Sequence, residues 1–243
     1  MGQEKLAVIT GGSRGIGAAL VQQYAALGWQ VKELSRSGEG PHHITCDFSN
    51  RSATRACVEE LFSELASQSW EKIVVVNNAG MVGPVGPVNQ TNSSGWYANI
   101  DVNFSAAVTL SGLFIKYFQF HPVDKYIVNI SSGAAHQPRY GWSLYCAMKA
   151  ALEMFSDTVA LEQREEAYPV KSIIVNPGII DTQMQKEIRD ASKANFPDVQ
   201  RFKAFKEDGL LASPEDVAEE IINILAAGPE TGQTYSVTDK RKR

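Results

Sequence analysis

The chain has 243 residues, 23 basic and 27 acidic side chains for a formal net charge of −4, and an ordinary balance of 44% hydrophobic and 21% charged residues. That length buries a substantial core without staples, and the mild acidity leaves no electrostatic footprint for a nucleic acid. Cys46, Cys57 and Cys146 are odd in number and lack CxxC spacing. They point to a reducing compartment, the cytoplasm, instead of a disulfide framework. His42, His43, His121 and His136 have no metal-ligand spacing, so they read as structural or exposed and no metal site is expected.

Strand and helix alternate in order. "KLAVIT" is a first apolar strand, and because "MGQEKLAVITGG" runs straight into it, no signal peptide is expected. "GIGAALVQQYAALG" follows as an amphipathic helix closed by Gly28. "WQVKELS" and "HHITCD" are the second and third strands, and "SATRACVEELFSELASQ" is a helix that Ser52 could cap. "KIVVVNNAG" is an apolar strand ending in a polar turn, followed by a long helix over 95–121. The stretch "FSAAVTLSGLFIKYFQF" inside it is interrupted by Lys116, so it reads as a buried helix and not a membrane span. "KYIVNISS" is a strand, 143–168 a second long helix, and "KSIIVNPG" a further strand. "SPEDVAEEIINILAAG" carries Ser213 as N-cap, an acidic first turn and Gly228 as terminator, and "QTYSV" is a last short strand. The tail "DKRKR" reads as a solvated end.

Strands alternating with helices imply parallel pairing through crossover connections, hence an open α/β sheet covered on both faces. Runs such as "IVVV" agree with burial on both sides. No linker interrupts the pattern, so 1–243 reads as one domain. The segment 181–211 lacks a strand and is expected to be a helical insertion able to form a lid.

Two local signals carry chemistry. "TGGSRGIG" follows the first strand and opens the first helix, where glycines let backbone N–H groups and a helix dipole approach a diphosphate. Arg14 lies inside the loop, and Ser35-Arg36 stands where an acid commonly binds ribose hydroxyls. Two cations and no acid suit a 2′-phosphate, so NADPH is favoured over NADH; Glu33, in the strand, is expected to point elsewhere. The second signal is Tyr145 four residues before Lys149 in a helical run. They share a face, and an ammonium beside a phenol lowers the phenol's pKa, making it usable in proton transfer.

Thr10 to Gly17, Asn77-Asn78-Ala79-Gly80, Asn103, Ser132, Tyr145-x-x-x-Lys149 and Pro177-Gly178 occur in this order at fitting intervals. Together they resemble the short-chain dehydrogenase/reductase family over nearly the whole chain. The resemblance implies a Rossmann-type, doubly wound, parallel seven-stranded sheet. It implies Tyr145 as the acid that protonates the carbonyl oxygen, Lys149 as the group that lowers its pKa and binds the nicotinamide ribose, and Ser132, in preference to Ser131, as a donor to that oxygen. Asn103 would hold a relay water. For NADP(H), it implies contacts from Gly11, Ser13, Arg14, Gly15, Ile16, Gly17 and Arg36. Further contacts would come from Asp47 and Phe48 at the adenine, from Asn78, Ala79 and Gly80 along the groove, and from Pro177, Gly178, Ile180 and Thr182 at the nicotinamide. A homodimer through the two long helices is also implied.

"SSGAAHQPRYGWSLYCAMKAAL" and "NPGIIDTQMQKEIRD" look like the sepiapterin reductase and benzil reductase branch of that family. The benzil side implies reduction of one carbonyl of an aromatic 1,2-diketone. Met81, Val82, Tyr140, Trp142, Met184 and Phe202 are candidates for an apolar substrate pocket. The pterin alternative expects an acid near the C-terminus, where Ser236 stands with Asp239 three residues on. A sensor that binds NADP without turnover would be expected to lack the tyrosine, lysine or serine, and all three are present.

Overall fold

The computed structural model describes residues 4–237. The basic tail and Asp239 lie outside the described residues. Seven strands form one parallel sheet in the order β3-β2-β1-β4-β5-β6-β7. They are β1 (Glu4–Thr10), β2 (Gln30–Ser35), β3 (His43–Thr45), β4 (Trp70–Asn77), β5 (Asp124–Ile130), β6 (Val170–Asn176) and β7 (Thr234–Ser236). The register sets Ile9 against Val76, Asn77 against Asn129, and Ile130 against Val175. Leu6, Ala7, Val8 and Ile9 are all fully buried, as a strand covered on both faces requires. The helices α1 (Gly15–Ala26) and α8 (Pro214–Ala226) pack together on one face. α2 (Arg51–Leu65) and α4 (Ala106–Phe118) pack together on the other. The strand order reverses direction between β1 and β4, which opens a crevice at their carboxyl ends.

Local chemistry sets several ends. Gly28 ends α1 with φ +77°, a left-handed conformation that costs glycine little. Ser213 caps α8 by accepting from the Asp216 N–H at 3.0 Å. The cap of α2 is Asn50 and not Ser52: its side chain accepts from the Ala53 N–H at 3.1 Å, which places Ser52 inside the first turn.

The long helix expected over 95–121 spans 93–118 but is not uniform. α3 (Ser93–Ile100) joins α4 through a wide π turn, Asp101–Ser105, which carries Asn103. Such turns insert a residue into the helical ladder and re-aim side chains. By length and composition Ser93–Phe118 could cross a membrane, yet Leu110, Phe114 and Phe118 are fully buried against Phe62 and the sheet. The second long helix, α5 (Ser143–Glu162), is shorter than expected and passes into a 3-10 turn, Gln163–Glu165. A strand, β6, then needs the chain back by Val170.

The expected insertion contains α6 (Gln183–Arg189) and α7 (Val199–Glu207). It packs down on the body. Trp142 stacks on Phe196 at 4.7 Å with planes 7° apart, and Arg139 pairs with Asp198 at 3.2 Å. Gly141 (φ +80°) lies so close that a Cβ there would sit 2.1 Å from the Asn195 carbonyl oxygen.

One buried polar ladder ties the central strands to two helices. Asn77 donates to Asn129 at 2.8 Å and to Ser111 of α4 at 3.0 Å. Asn129 donates to Ser156 of α5 at 3.1 Å, and Ser156 meets Ser172 of β6 at 2.8 Å. Cutting its centre orphans partners in low dielectric, so Asn129→Ala is expected to lose about 2 kcal/mol or more of unfolding free energy. Urea denaturation checks this, and an unchanged midpoint would contradict it.

Candidate active site

The carboxyl ends of β1, β4, β5 and β6 converge on the crevice. From β1, the glycine loop turns into α1 with Gly11 and Gly15 at φ +67° and +57°. Gly17 has no room for a side chain, because a Cβ would lie 2.3 Å from the Gly11 carbonyl oxygen. Asn78 holds the loop from β4: its amide donates to the carbonyls of Thr10 (2.9 Å) and Gly11 (3.1 Å). Thr10 Oγ1 in turn accepts from the N–H groups of Asn78 and Ala79, both at 3.0 Å. Asn77 is therefore a ladder residue, while Asn78 shapes the loop.

The start of α1 is open to an anion. Its N-cap, Arg14, is extended, makes no capping bond, and no acid lies in the first turn. Ser13, Arg14 and Arg36 are exposed, and Ile16 is buried beneath them. Glu33 does not point away from this region. Its Oε1 accepts from the Gly12 N–H at 2.9 Å, and its Oε2 meets His43 Nδ1 at 2.6 Å. The one acid near the end of β2 is thus committed beneath the loop, and His43, read as structural, is its partner. Gly12 and Gly38 flank this side chain so closely that a Cβ on Gly12 would lie 2.3 Å from Glu33 Cγ and one on Gly38 2.2 Å from Glu33 Oε2.

Asp47 accepts from the N–H and hydroxyl of Ser49, and these bonds hold its carboxyl below the usual range, with Arg36 adding a smaller pull. Phe48 is packed in the core with Leu34 and Val58, so its ring supports the turn from beneath. On the opposite wall Pro177 is buried, Gly178 is exposed at φ +77°, and Ile180 belongs to the core under α1 and α8. Thr182 caps α6 and reaches the glycine loop, its Cγ2 3.3 Å from where a Cβ on Gly15 would be.

The last residue of β5 and the two that follow it meet one face of α5. Lys149 Nζ donates to the Ile130 carbonyl at 2.7 Å. The Ser131 hydroxyl donates to Glu153. Ser132 accepts from the Ala134 N–H at 3.2 Å, and its hydroxyl acts on the Tyr145 phenol, pulling its pKa down. Positions 145, 149 and 153 are successive steps of four along the helix. Ser131 is therefore taken by Glu153, and Ser132 is the serine that faces the phenol.

Burial, with only a partial offset from the Ser132 hydrogen bond, pushes the Tyr145 phenol up. Burial also lowers the Lys149 ammonium to about 8, with Glu153 opposing. The expected depression of the phenol by Lys149 is not what the site displays. The ammonium lies 5.8 Å from the ring centroid and is turned to Ile130, so desolvation wins. A neutral phenol is the form able to donate a proton.

Asn103 is almost fully buried and its amide is fully engaged. It donates to the Met81 carbonyl (2.8 Å) and Asn99 (2.9 Å) and accepts from the Met81 N–H (3.0 Å). Its side chain thus holds the Gly80–Met81 turn, and a relay water would have to use other atoms of this residue. A cavity of about 10 Å³ beside Asn103, Asn77 and Leu152 is at the size of one water.

Met184 Sδ lies 4.0 Å from the Tyr145 hydroxyl, and Met184 Cε reaches toward Gly80. It covers the phenol and borders the crevice with half-buried Met81. Trp142 is different: 4% exposed, it caps α5 and packs edge-on against Tyr145 at 5.5 Å, inside a cluster with Val82, Phe196 and Phe202. Trp142, Val82 and Phe202 thus back the site as core, and Tyr140 is 58% exposed. Ser236 lies at the sheet edge, opposite Asn176 in register.

The family model for short chain dehydrogenases matches residues 5–193. The chain belongs to the short-chain dehydrogenase family. It is an oxidoreductase, and its groove is that of a nicotinamide-binding protein of this family. A benzil reductase ((S)-benzoin forming) of Bacillus subtilis strain 168 is 37% identical over 240 residues, covering 97% of this chain and 99% of that one. A Bacillus cereus protein of the same description is 36% identical, covering 90% and 92%. The crystal structure of a Saccharomyces cerevisiae short-chain dehydrogenase/reductase superposes with a TM-score of 0.81 at 28% identity, covering 98% and 97%.

The lowered Lys149 sets a sign for stability. Below about pH 8 the buried ammonium is charged in both folded and unfolded chains and its desolvation penalty is present in full. Between about 8 and its ordinary 10.5 only the unfolded chain holds the proton, so the penalty fades as pH rises. Relative to Lys149→Met, the wild-type chain should therefore gain stability across that window, on the order of 3 kcal/mol. Thermal melts of both proteins at several pH values check it, and parallel curves would contradict it.

Proposed function

We propose that this protein is an NADPH-dependent carbonyl reductase that reduces one carbonyl of an aromatic 1,2-diketone, benzil to (S)-benzoin being the model reaction. The observation that carries the reading is the convergence of Ser132, Tyr145 and Lys149 beside a glycine loop whose walls admit no side chain. The relatives in two Bacillus species, similar over nearly their whole length, support the diketone.

The groove fits a dinucleotide diphosphate on structural grounds. Gly11 and Gly17 let the loop pack against Ala79, Asn78 and itself more tightly than any side chain would allow, and the uncapped start of α1 supplies N–H donors. Arg14 and Arg36 would hold the 2′-phosphate, and the Glu33 carboxylate is held beneath the loop by Gly12 and His43. Bound NADPH would supply the hydride.

The chain's own groups handle the proton. A carbonyl accepting hydride gathers negative charge on oxygen, and the hydroxyls of Ser132 and Tyr145 meet that charge as it develops. The buried, neutral Tyr145 donates the proton. Lys149 would hold the nicotinamide ribose and steady the resulting phenolate. Met184, at the phenol, would be displaced by or pack on the substrate's flat ring. In this reading the protein works in the cytoplasm as a homodimer through α4 and α5, where Met154 and Leu161 are exposed, without membrane or nucleic-acid partners.

The test is NADPH oxidation, followed by absorbance, with benzil, 1-phenyl-1,2-propanedione and sepiapterin, and with NADH as a control cofactor. Fast benzil turnover with NADPH and little with NADH is expected. Arg36→Ala should raise KM for NADPH at least tenfold and leave NADH unchanged, since a charge-assisted phosphate contact is worth about 1.5–3 kcal/mol. Preference for sepiapterin, or indifference to the arginine, would contradict the reading.

A further inference from the structure

Glu153 is a buried acid that the chemistry above does not use. It is 8% exposed and sits on α5 one turn beyond Lys149. Two groups grip it from the same loop. Ser131 donates to Oε1, and Oε2 meets His136 Nε2 at 3.0 Å. Ser131 is the direct neighbour of Ser132, and His136 closes the 3-10 turn, Gly133–Ala135, that Ser132 caps. The carboxylate is thus tied to both ends of the short loop that presents Ser132.

A carboxylate is costly to bury unless it answers a positive charge. Its neighbours show what it answers. Lys149 is buried with only a carbonyl, Ile130, as hydrogen-bond partner. Tyr145, on the same helix face, is neutral. Asp101, the acid of the π turn packed against α5, is taken by Arg51 at 2.5 Å. His136 is largely exposed and meets Glu153 through Nε2. Glu153 is the anion that acts on Lys149.

Resting on the reductase reading, we propose that Glu153 is a positioning residue for the proton transfer: clamped by Ser131 and His136, it supplies the negative charge opposite Lys149 and fixes the loop that aims Ser132 at the phenol. Its role runs through Lys149 and Ser132 and needs no contact with substrate. Burial pulls the Lys149 ammonium toward losing its proton, and Glu153 opposes that loss. The reductase would then keep Lys149 cationic into mildly alkaline solution.

The test is NMR titration of Lys149 in ε-13C-lysine-labelled, ligand-free protein, with Lys149→Arg to assign the resonance. Glu153→Gln keeps the shape and removes the charge. Its Lys149 midpoint should fall by about one pH unit, the scale of one opposite charge within a few ångströms. Glu153→Asp keeps the charge but draws it back, so its midpoint should fall by less. The alkaline limb of kcat/KM, measured with any carbonyl the wild type reduces, should move to lower pH in the same order. A purely structural role would lower the melting temperature and leave both midpoints in place. An unmoved midpoint in Glu153→Gln overturns the proposal, and so does an equal fall in both variants. If Glu153→Gln does not fold, an unmoved midpoint in Glu153→Asp overturns it. The diketone reading fails separately, through absence of benzil turnover in the wild type, with the titration still readable.

Discussion

The site rests on one piece of geometry, the meeting of the end of β5 with one face of α5. An extended chain and a helix cross so that Ile130, Ser131 and Ser132 engage Lys149, Glu153 and Tyr145. A strand exposes alternating sides while a helix repeats every three to four residues. Three neighbours can therefore serve three helix positions only where the strand has just ended and the backbone is free to turn. The 3-10 turn capped by Ser132 supplies that freedom. The Asn77–Asn129–Ser156 ladder below keeps β5 and α5 from sliding past each other.

The same rigidity governs the opposite wall. Thr10, Gly11 and Asn78 bind one another closely enough that the glycine loop is shaped before any ligand arrives. Glu33 fastens the loop from below through the Gly12 N–H. The cofactor side is thus preorganised, whereas the substrate side is built from adaptable groups. Met184 and Met81 border the crevice, and an aromatic cluster behind Trp142 anchors the inserted helices. A rigid groove beside a deformable wall suits a family in which one hydride chemistry serves many carbonyl shapes.

Much of this was legible in the sequence. Strand and helix order follows from apolar runs and turn residues. The glycine loop and the Tyr145–Lys149 pair announce themselves by position and spacing, while Asn78 and Ser132 are implied by the family resemblance. The π turn at Asp101–Ser105 does not, because the composition of 93–118 is that of an ordinary helix. Glu33 was misdirected because strand alternation says which face a side chain takes and not that a loop folds back over it. Trp142 shares the neighbourhood of Tyr145, but sequence cannot tell a pocket wall from a core ring stacked on Phe196. Glu153 left a usable signal, since it extends the step of four from Tyr145 through Lys149. His136, seventeen residues earlier, could be joined to it only by the fold.

In the proposed reaction the Tyr145 phenol gives the proton while neighbouring groups hold cofactor and oxygen. The most direct measurement is single-turnover benzil reduction by Tyr145→Phe alongside NADPH binding by fluorescence. Removing one hydroxyl should lower turnover by about 10²–10⁴-fold and leave NADPH affinity within a few-fold of wild type. Retained turnover would contradict the account, because some other group would then be the acid.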